Sequence, residues 1–177
     1  MNDSKTLILG GVRSGKSRLA ERLATQSHLP ITYIATATIE DAEMQARIAL
    51  HRANRPTHWQ MLEEPLHLAA VLSQQAMEDH CLLVDCLTLW LTNLLIHPDT
   101  AVFEHEYAAL LSVLPGLPGR IILVSNETNM GVIPMGELSR RYCDEAGKLH
   151  QLVARQCEQV ILMVAGLPHT LKGDPCD

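Results

Sequence analysis

The chain has 177 residues, 47% of them hydrophobic, which is enough for a globular core, and we expect a single domain over residues 1–177. A formal net charge of -6 without a basic run argues against a nucleic-acid-binding surface, and 3% aromatic residues offer no stacking platform for single strands. The longest apolar stretch is interrupted by polar residues and the N-terminus lacks an apolar leader, so we expect no membrane span and a cytoplasmic protein.

Short apolar runs alternate with helix-like patterns along the chain. Continuous apolar runs, as opposed to alternating ones, are typical of parallel strands that are buried on both faces. They predict strands over residues 7–9, 31–35, 59–62, 81–84, 121–124 and 160–164. Helical patterns follow the first strand and cover residues 41–53, 66–77, 87–96, 102–114 and 137–156. This alternation predicts an α/β fold, in which helices cover both faces of a mostly parallel sheet.

The first predicted strand leads into a glycine-rich loop. In order, its residues are Gly10, Gly11, Val12, Arg13, Ser14, Gly15, Lys16 and Ser17. This is the phosphate-binding pattern G-x-x-x-x-G-K-[ST], in which backbone N–H groups surround phosphates, the lysine reaches the terminal ones and the serine can bind Mg²⁺. A plain glycine turn would not explain Lys16 at the start of a helix, where the helix dipole favours an anion. We therefore predict a nucleotide-binding domain with a P-loop NTPase-like fold.

Polar residues follow two of the other predicted strands. In a parallel sheet, ligands bind at the carboxyl ends of the strands. Thr36 and Thr38 follow the second strand, and Asp85 follows the strand over 81–84. Four apolar residues and an acid form a Walker B pattern, whose carboxylate can hold Mg²⁺. The alternative for Asp85 is an N-cap of the helix that begins near Leu87.

A polar segment follows the fifth predicted strand. Ser125, Asn126 and Glu127 come first, and residues 128–134 are too polar and glycine-containing for a strand or a helix. A long loop at the functional edge suits a substrate contact or a lid. An ordinary surface loop explains the pattern equally well.

The predicted helix over 41–53 holds a histidine among arginines. His51 shares one helix face with Met44 and Ile48. The arginines around the end of this helix are Arg47, Arg52 and Arg55. Guanidinium groups can bind a polyphosphate, and a histidine beside phosphates can act as a nucleophile or a general acid. By pattern alone, a solvated helix face and a structural histidine explain these residues as well.

The phosphate loop by itself leaves several classes of protein open. A regulatory GTPase needs an N-K-x-D segment, and the nearest candidate, residues 126–129, lacks the lysine. A compact chain of this size favours phosphoryl transfer to a small molecule. The loop is compatible with a kinase for a small alcohol or nucleotide and also with a nucleotide-sensing module that signals through a partner.

Further blocks of sequence extend the pattern from the first strand to the last. The blocks lie at residues 10–18, 33–36, 41–59, 85–88, 92–95, 124–127, 130–134 and 140–151. In this order they resemble the bifunctional adenosylcobinamide kinase / adenosylcobinamide-phosphate guanylyltransferase family of cobalamin synthesis. The block around His51 and the block from Asn126 to Pro134 are not general features of nucleotide kinases, so the resemblance is specific.

The resemblance implies roles for the matching positions. The phosphate loop would bind the triphosphate of ATP or GTP with Mg²⁺, Lys16 would stabilise the transferred group, and Ser17 and Asp85 would hold the metal. His51 matches the nucleophile that takes GMP from GTP and releases pyrophosphate. The other positions implied to contact nucleotide are Thr36, Ala37, Thr38, Arg52, Ala53, Asn54, Arg55, Glu63 and Asp85. Asp85 stands where some relatives carry glutamate.

The resemblance also implies substrates and an assembly. The enzyme would phosphorylate adenosylcobinamide and then transfer GMP to adenosylcobinamide phosphate, which gives adenosyl-GDP-cobinamide. It would be a homotrimer.

Overall fold

The computed structural model describes residues 4–38, 56 and 58–175. Within them, seven strands form one sheet in the order β3-β2-β4-β5-β1-β6-β7. The strands are β1 (Ser4–Gly10), β2 (Ile31–Ala35), β3 (Gln60–Glu63), β4 (Cys81–Asp85), β5 (Arg120–Asn126), β6 (Gln159–Val164) and β7 (Leu167–Lys172). All neighbours pair in parallel except β6 and β7, which form an antiparallel hairpin. The predicted α/β class with a mostly parallel sheet is therefore confirmed.

Five α-helices connect the strands of the described residues. They are α1 (Lys16–Gln26), α2 (Leu68–Gln75), α3 (Leu87–Ile96), α4 (Thr100–Val113) and α5 (Glu137–Gln156). The bounds of α3 and α5 are those predicted, and α2 and α4 differ from prediction by one or two residues at each end. The predicted helix over 41–53 lies outside the described residues, as do His51, Arg52, Ala53, Asn54 and Arg55.

The sheet is covered by helices on both faces, as predicted, but unequally. Alternate residues of a strand point to opposite faces. In β1, Leu7 and Leu9 pack into a large cluster that contains buried residues of α2, α3, α4 and α5. Ile8 packs on the other face with Leu19 and Leu23 of α1. The five inner strands are consequently buried on both sides, which explains their continuous apolar runs, whereas the edge strands β3 and β7 are largely exposed.

Strand β7 was not predicted from the sequence. Ala165 and Gly166 both have positive φ, 52° and 82°, and form the tight turn from β6 to β7. The dipeptide Ala-Gly is a weak signal for such a turn, and Pro168 obscures the strand because proline cannot donate a ladder hydrogen bond. Proline is tolerated here because β7 is at the edge of the sheet. None of the helices in the described part of the chain has the length and hydropathy needed to cross a membrane.

Candidate functional site

The sheet order brings three strand ends together at one edge. Strand β5 lies between β1 and β4, and Gly10 of β1 is in register with Asn126 of β5. Asp85 at the end of β4 is in register with Val124 of β5. The phosphate loop, Asp85 and the segment after Asn126 therefore occupy the carboxyl edge of the sheet, where ligands bind in open α/β sheets.

The phosphate loop is held in a conformation that its glycines make possible. Gly10 and Gly15 have φ values of 152° and 101°, and Arg13 between them has a φ of 56°. Two backbone hydrogen bonds anchor the loop: Glu127 N–H donates to Gly10 at 2.9 Å, and Gly166 N–H donates to the carbonyl of Ser14 at 3.0 Å. The β6–β7 turn thus supports the loop from one side and the end of β5 supports it from the other.

Lys16 begins helix α1 and lies inside the loop. Its side chain is buried, and Nζ donates to the carbonyl of Gly11 at 2.7 Å. Burial lowers the pKa of Lys16, while the charges of Cys86 and Asp85 act in the opposite direction. A desolvated ammonium group of this kind gains more from an anionic phosphate than an exposed lysine does. Ser17 follows it, half-buried in the first turn of the helix.

Asp85 is half-buried at the end of β4 and accepts a hydrogen bond from the Tyr33 hydroxyl at 2.8 Å. Helix α3 begins at Leu87, and its N-cap residue is Cys86, without a side-chain capping bond. The alternative interpretation of Asp85 as the N-cap is therefore wrong. Carboxylate and hydroxyl oxygens of the kind that Asp85 and Ser17 present are the ligands that Mg²⁺ prefers.

No group of three or more His, Cys, Asp and Glu side chains that could hold a metal gathers within the described ranges. Mg²⁺ at nucleotide sites usually takes one or two protein oxygens and completes its shell with phosphate oxygens and water. Oxygens from Asp85 and Ser17 fit this kind of shared site.

The turn after β2 is tied to the neighbouring strand. Thr36 is fully buried, and its hydroxyl donates to the carbonyl of Cys86 at 2.7 Å and accepts from Cys86 N–H at 3.0 Å. Asn93 of α3 donates to the carbonyl of Thr36 at 2.8 Å, and Thr38 donates to Oδ1 of Asn93 at 3.3 Å. Ala37 is half-buried between them. The structure thus places this turn beside the end of β4.

The remaining sequence-predicted residues lie apart from the loop or outside the described chain. Glu63 is exposed at the end of β3, and β2, β4 and β5 stand between that strand and β1. After Asn126, residues 127–136 form neither helix nor strand, and this segment includes the predicted loop over 128–134. This segment exposes large apolar side chains, including Val132 at 96% and Met135 at 95%. Such exposure suits a contact surface better than a packing element.

A buried polar network beside the loop was not predicted from the sequence. His150 of α5 is 6% exposed, and its Nε2 lies 2.8 Å from the hydroxyl of Ser125. Its Nδ1 has no hydrogen-bond partner and lies 3.7 Å from Oε2 of Glu127. Burial lowers the pKa of His150, and the nearby charge of Glu127 opposes this shift. The available signal was a histidine on the buried stripe of α5 with Ala146, Leu149 and Val153.

Gly10 is a position where a single methyl group should disrupt the site. A Cβ at Gly10 would lie 2.5 Å from the carbonyl oxygen of Met163 and 2.7 Å from the Ser14 hydroxyl. We expect Gly10→Ala to lower the free energy of unfolding by about 1–3 kcal/mol, because the backbone of β6 must shift. Nucleotide affinity should fall about tenfold or more as the loop is displaced. Urea unfolding and nucleotide titration calorimetry measure the two effects.

Gly116→Ala, in the connection between α4 and β5 and outside the phosphate loop, is the matched control for this prediction. A Cβ at Gly116 meets no heavy atom within 4 Å. It should leave both the unfolding transition and nucleotide affinity close to wild type. Equal losses in both variants would contradict the steric explanation.

Comparison with known proteins places the whole chain in one group. A family model described as cobinamide kinase / cobinamide phosphate guanyltransferase matches residues 6–171. The chain is 64% identical over 171 residues to the bifunctional adenosylcobalamin biosynthesis protein CobP of Pseudomonas aeruginosa, covering 97% of this chain and 99% of that protein. It is 36% identical over 179 residues to the protein of the same description, CobU, of Escherichia coli K12, covering 94% and 98%.

Solved structures share the fold at low sequence identity. The flagellar accessory protein FlaH from Methanocaldococcus jannaschii superposes with a TM-score of 0.52 at 16% identity, covering 97% of this chain and 79% of that one. The RadB recombinase superposes with a TM-score of 0.50 at 14% identity, covering 90% and 73%. These similarities support the P-loop NTPase-like fold.

Proposed function

Because the chain belongs to the cobinamide kinase / cobinamide phosphate guanyltransferase family, we propose that it performs both reactions at the edge of the sheet formed by the phosphate loop. It is an enzyme of adenosylcobalamin biosynthesis, with kinase and guanylyltransferase activity and with ATP or GTP as nucleotide. The observation that carries the proposal is the phosphate loop itself, with buried Lys16 inside it and Asp85 two strands away, in a chain that matches the family over residues 6–171.

The first reaction is phosphorylation of adenosylcobinamide. The hydroxyl of its aminopropanol arm attacks the terminal phosphorus of ATP or GTP, and the bond to the bridging oxygen breaks, so that the nucleoside diphosphate leaves. Lys16 stabilises the negative charge of the phosphoryl group during its transfer. This interaction is strong because the lysine side chain is buried in the loop. Main-chain N–H groups of the loop from Gly10 to Ser17 hold the phosphates in place.

The second reaction is transfer of GMP. His51 attacks the α-phosphorus of GTP and pyrophosphate leaves, and the phosphate of adenosylcobinamide phosphate then displaces the histidine. A covalent intermediate divides one difficult displacement into two. The role of His51 is supported by its match to the position of the nucleophile in the family. Arg52 and Arg55, which lie near it in the sequence, would neutralise the phosphate charges when the guanylyl group and adenosylcobinamide phosphate come together.

Mg²⁺ fits the oxygen donors at this edge. Ser17 and Asp85 would hold it, and when bound it supplies charge neutralisation at the phosphates. Tyr33 orients the Asp85 carboxylate through its 2.8 Å hydrogen bond. Removal of divalent cations with a chelator should therefore reduce both reactions.

Other positions complete the nucleotide site in this proposal. Thr36 keeps the turn with Ala37 and Thr38 in place, since its hydroxyl is engaged by Cys86. Glu63 and the segment from Arg52 to Arg55, with Ala53 and Asn54, would make further contacts with the nucleotide. We further propose that the enzyme is cytoplasmic and that it is a homotrimer. Sedimentation equilibrium tests the oligomeric state directly.

The function is tested by incubating the protein with adenosylcobinamide, Mg²⁺ and either ATP or GTP. The corrinoid products are separated by liquid chromatography and identified by mass spectrometry. We expect adenosylcobinamide phosphate with either nucleotide, and adenosyl-GDP-cobinamide and pyrophosphate when GTP is present. Phosphorylation without GMP transfer would indicate the alternative, a small-molecule kinase. Nucleotide binding without any turnover of the corrinoid would contradict both.

A further inference from the structure

We propose that Glu127 is the general base of the kinase reaction and that His150 positions and supports it, an inference that rests on the proposed function. The hydroxyl of the acceptor must lose its proton as it attacks phosphorus, and a carboxylate beside the phosphate loop can accept it. In protein kinases an aspartate serves this purpose. The contacts of Glu127 fit the same task.

Glu127 is attached directly to the phosphate loop. Its N–H donates to the carbonyl of Gly10 at 2.9 Å, and Oε1 of its side chain accepts from Asn129 N–H at 2.7 Å. Asn129 is fixed in turn by a 3.0 Å hydrogen bond from its side chain to the carbonyl of Cys143 in α5. The side chain of Glu127 is 15% exposed, so it is ordered yet reachable from the edge of the sheet.

Two other carboxylates at this edge are less suited to the role. Asp85 accepts a hydrogen bond from Tyr33 and is the proposed metal ligand. Glu63 ends the edge strand β3, with three strands between it and β1. Glu127, by contrast, follows β5, the immediate neighbour of β1. Its position beside the loop makes its carboxylate available to the acceptor hydroxyl, while Asp85 holds the metal.

His150 faces the second oxygen of this carboxylate. Its Nε2 is 2.8 Å from the Ser125 hydroxyl, and its buried Nδ1, without a hydrogen-bond partner, is 3.7 Å from Oε2 of Glu127. A small rotation of the carboxyl group closes this gap to a hydrogen bond. An unprotonated Nδ1 can then accept a hydrogen bond from a protonated Glu127, which explains an otherwise unpaired buried nitrogen.

The proton balance of the step is simple. The O–H bond of the acceptor breaks and its proton goes to Oε2 of Glu127, while the oxygen forms the new bond to phosphorus. The bridging P–O bond breaks and its electron pair leaves on the nucleoside diphosphate. Nδ1 of His150 stabilises the protonated carboxyl until solvent removes the proton. GMP transfer needs no such base, because its acceptor is an already ionised phosphate.

The test is Glu127→Gln, which keeps an oxygen that can accept from Asn129 but cannot take a proton. We expect the kinase kcat to fall about 10²- to 10⁴-fold. Transfer of GMP from GTP to supplied adenosylcobinamide phosphate should change by less than about threefold. Glu137→Gln, an exposed glutamate at the start of α5, is the matched control and should leave both rates near wild type.

His150→Gln separates positioning from folding. It retains a hydrogen-bonding group toward Ser125 and removes the nitrogen that faces Glu127. Tyr142 on α5 interacts electrostatically with Glu127, Cys143 and Cys86. Burial raises the pKa of Tyr142 to about 12 and that of Cys86 to about 11, so these two side chains stay neutral. In wild type, the kinase rate should drop below the lowered pKa of His150, since the imidazolium then pairs with Glu127 and weakens it as a base. The pH at which the kinase rate falls should therefore differ in His150→Gln, because no imidazolium can then form beside Glu127.

The outcomes separate this proposal from the function itself. A kinase rate in Glu127→Gln within about threefold of wild type would overturn the role of Glu127. Equal losses of kinase and GMP transfer, with a lowered melting temperature, would assign Glu127 to loop stability and would also overturn it. If wild type phosphorylates no corrinoid while binding nucleotide, the proposed function fails instead, independently of Glu127.

Discussion

His51→Ala should abolish the covalent guanylyl adduct and reduce GMP transfer by about 10⁴-fold or more, the scale seen when a catalytic nucleophile is removed. Without the imidazole, the α-phosphorus of GTP has no nucleophile on the protein, and direct attack by one phosphate on another must overcome their mutual repulsion. The measurement uses GTP labelled at the α-phosphate with Mg²⁺, followed by denaturing electrophoresis and intact mass. Wild type should gain one acid-labile GMP, and the variant none.

The kinase reaction provides the internal control for His51→Ala. Phosphorylation of adenosylcobinamide should remain within a few-fold of wild type, because it does not pass through the histidine. His58→Ala, which changes an exposed histidine seven positions further along, should keep the adduct. An adduct of equal yield in His51→Ala would contradict the assignment, and its peptide map would then identify the true nucleophile.

Lys16→Met should reduce the kinase kcat by about 10²- to 10³-fold, which is the scale for removal of one charge-stabilising donor. Methionine preserves most of the length and the apolar contacts of the lysine, but it carries no positive charge to stabilise the transferred phosphoryl group. GMP transfer should also weaken, since the same loop holds the triphosphate of GTP. Steady-state kinetics with ATP and adenosylcobinamide measure the first effect.

Stability distinguishes a chemical role of Lys16 from a structural one. Burial lowers the pKa of Lys16, which means that the folded state disfavours its charged form, so its removal should not destabilise the protein. We expect the melting temperature of Lys16→Met to fall by no more than about 3 °C. Lys148→Met, at an exposed lysine paired with Glu145, should leave the kinetics unchanged. A large loss of stability in Lys16→Met would attribute the rate loss to misfolding.

Much of the fold followed from local patterns. The apolar runs predicted six of the seven strands in the described residues. Five of these six are inner strands, and parallel strands buried on both faces have continuous apolar sequences. Strand β7 was missed because an edge strand tolerates Pro168 and its Ala-Gly turn lacks the usual signal. The exclusion of Asp85 as an N-cap also needed the structure, in which α3 begins at Leu87 with Cys86 as its N-cap.

The sequence by itself determined the phosphate loop and the family, since both depend on consecutive residues whose spacing fixes their chemistry. Only the tertiary structure decided which strand lies between the loop and Asp85. That arrangement places Glu127 against Gly10, and it brings His150 to Ser125 although 25 residues separate them. Such contacts depend on sheet order and on how α5 packs over β5. Local periodicity carries no information about either, because the same alternation of strands and helices is compatible with several sheet orders.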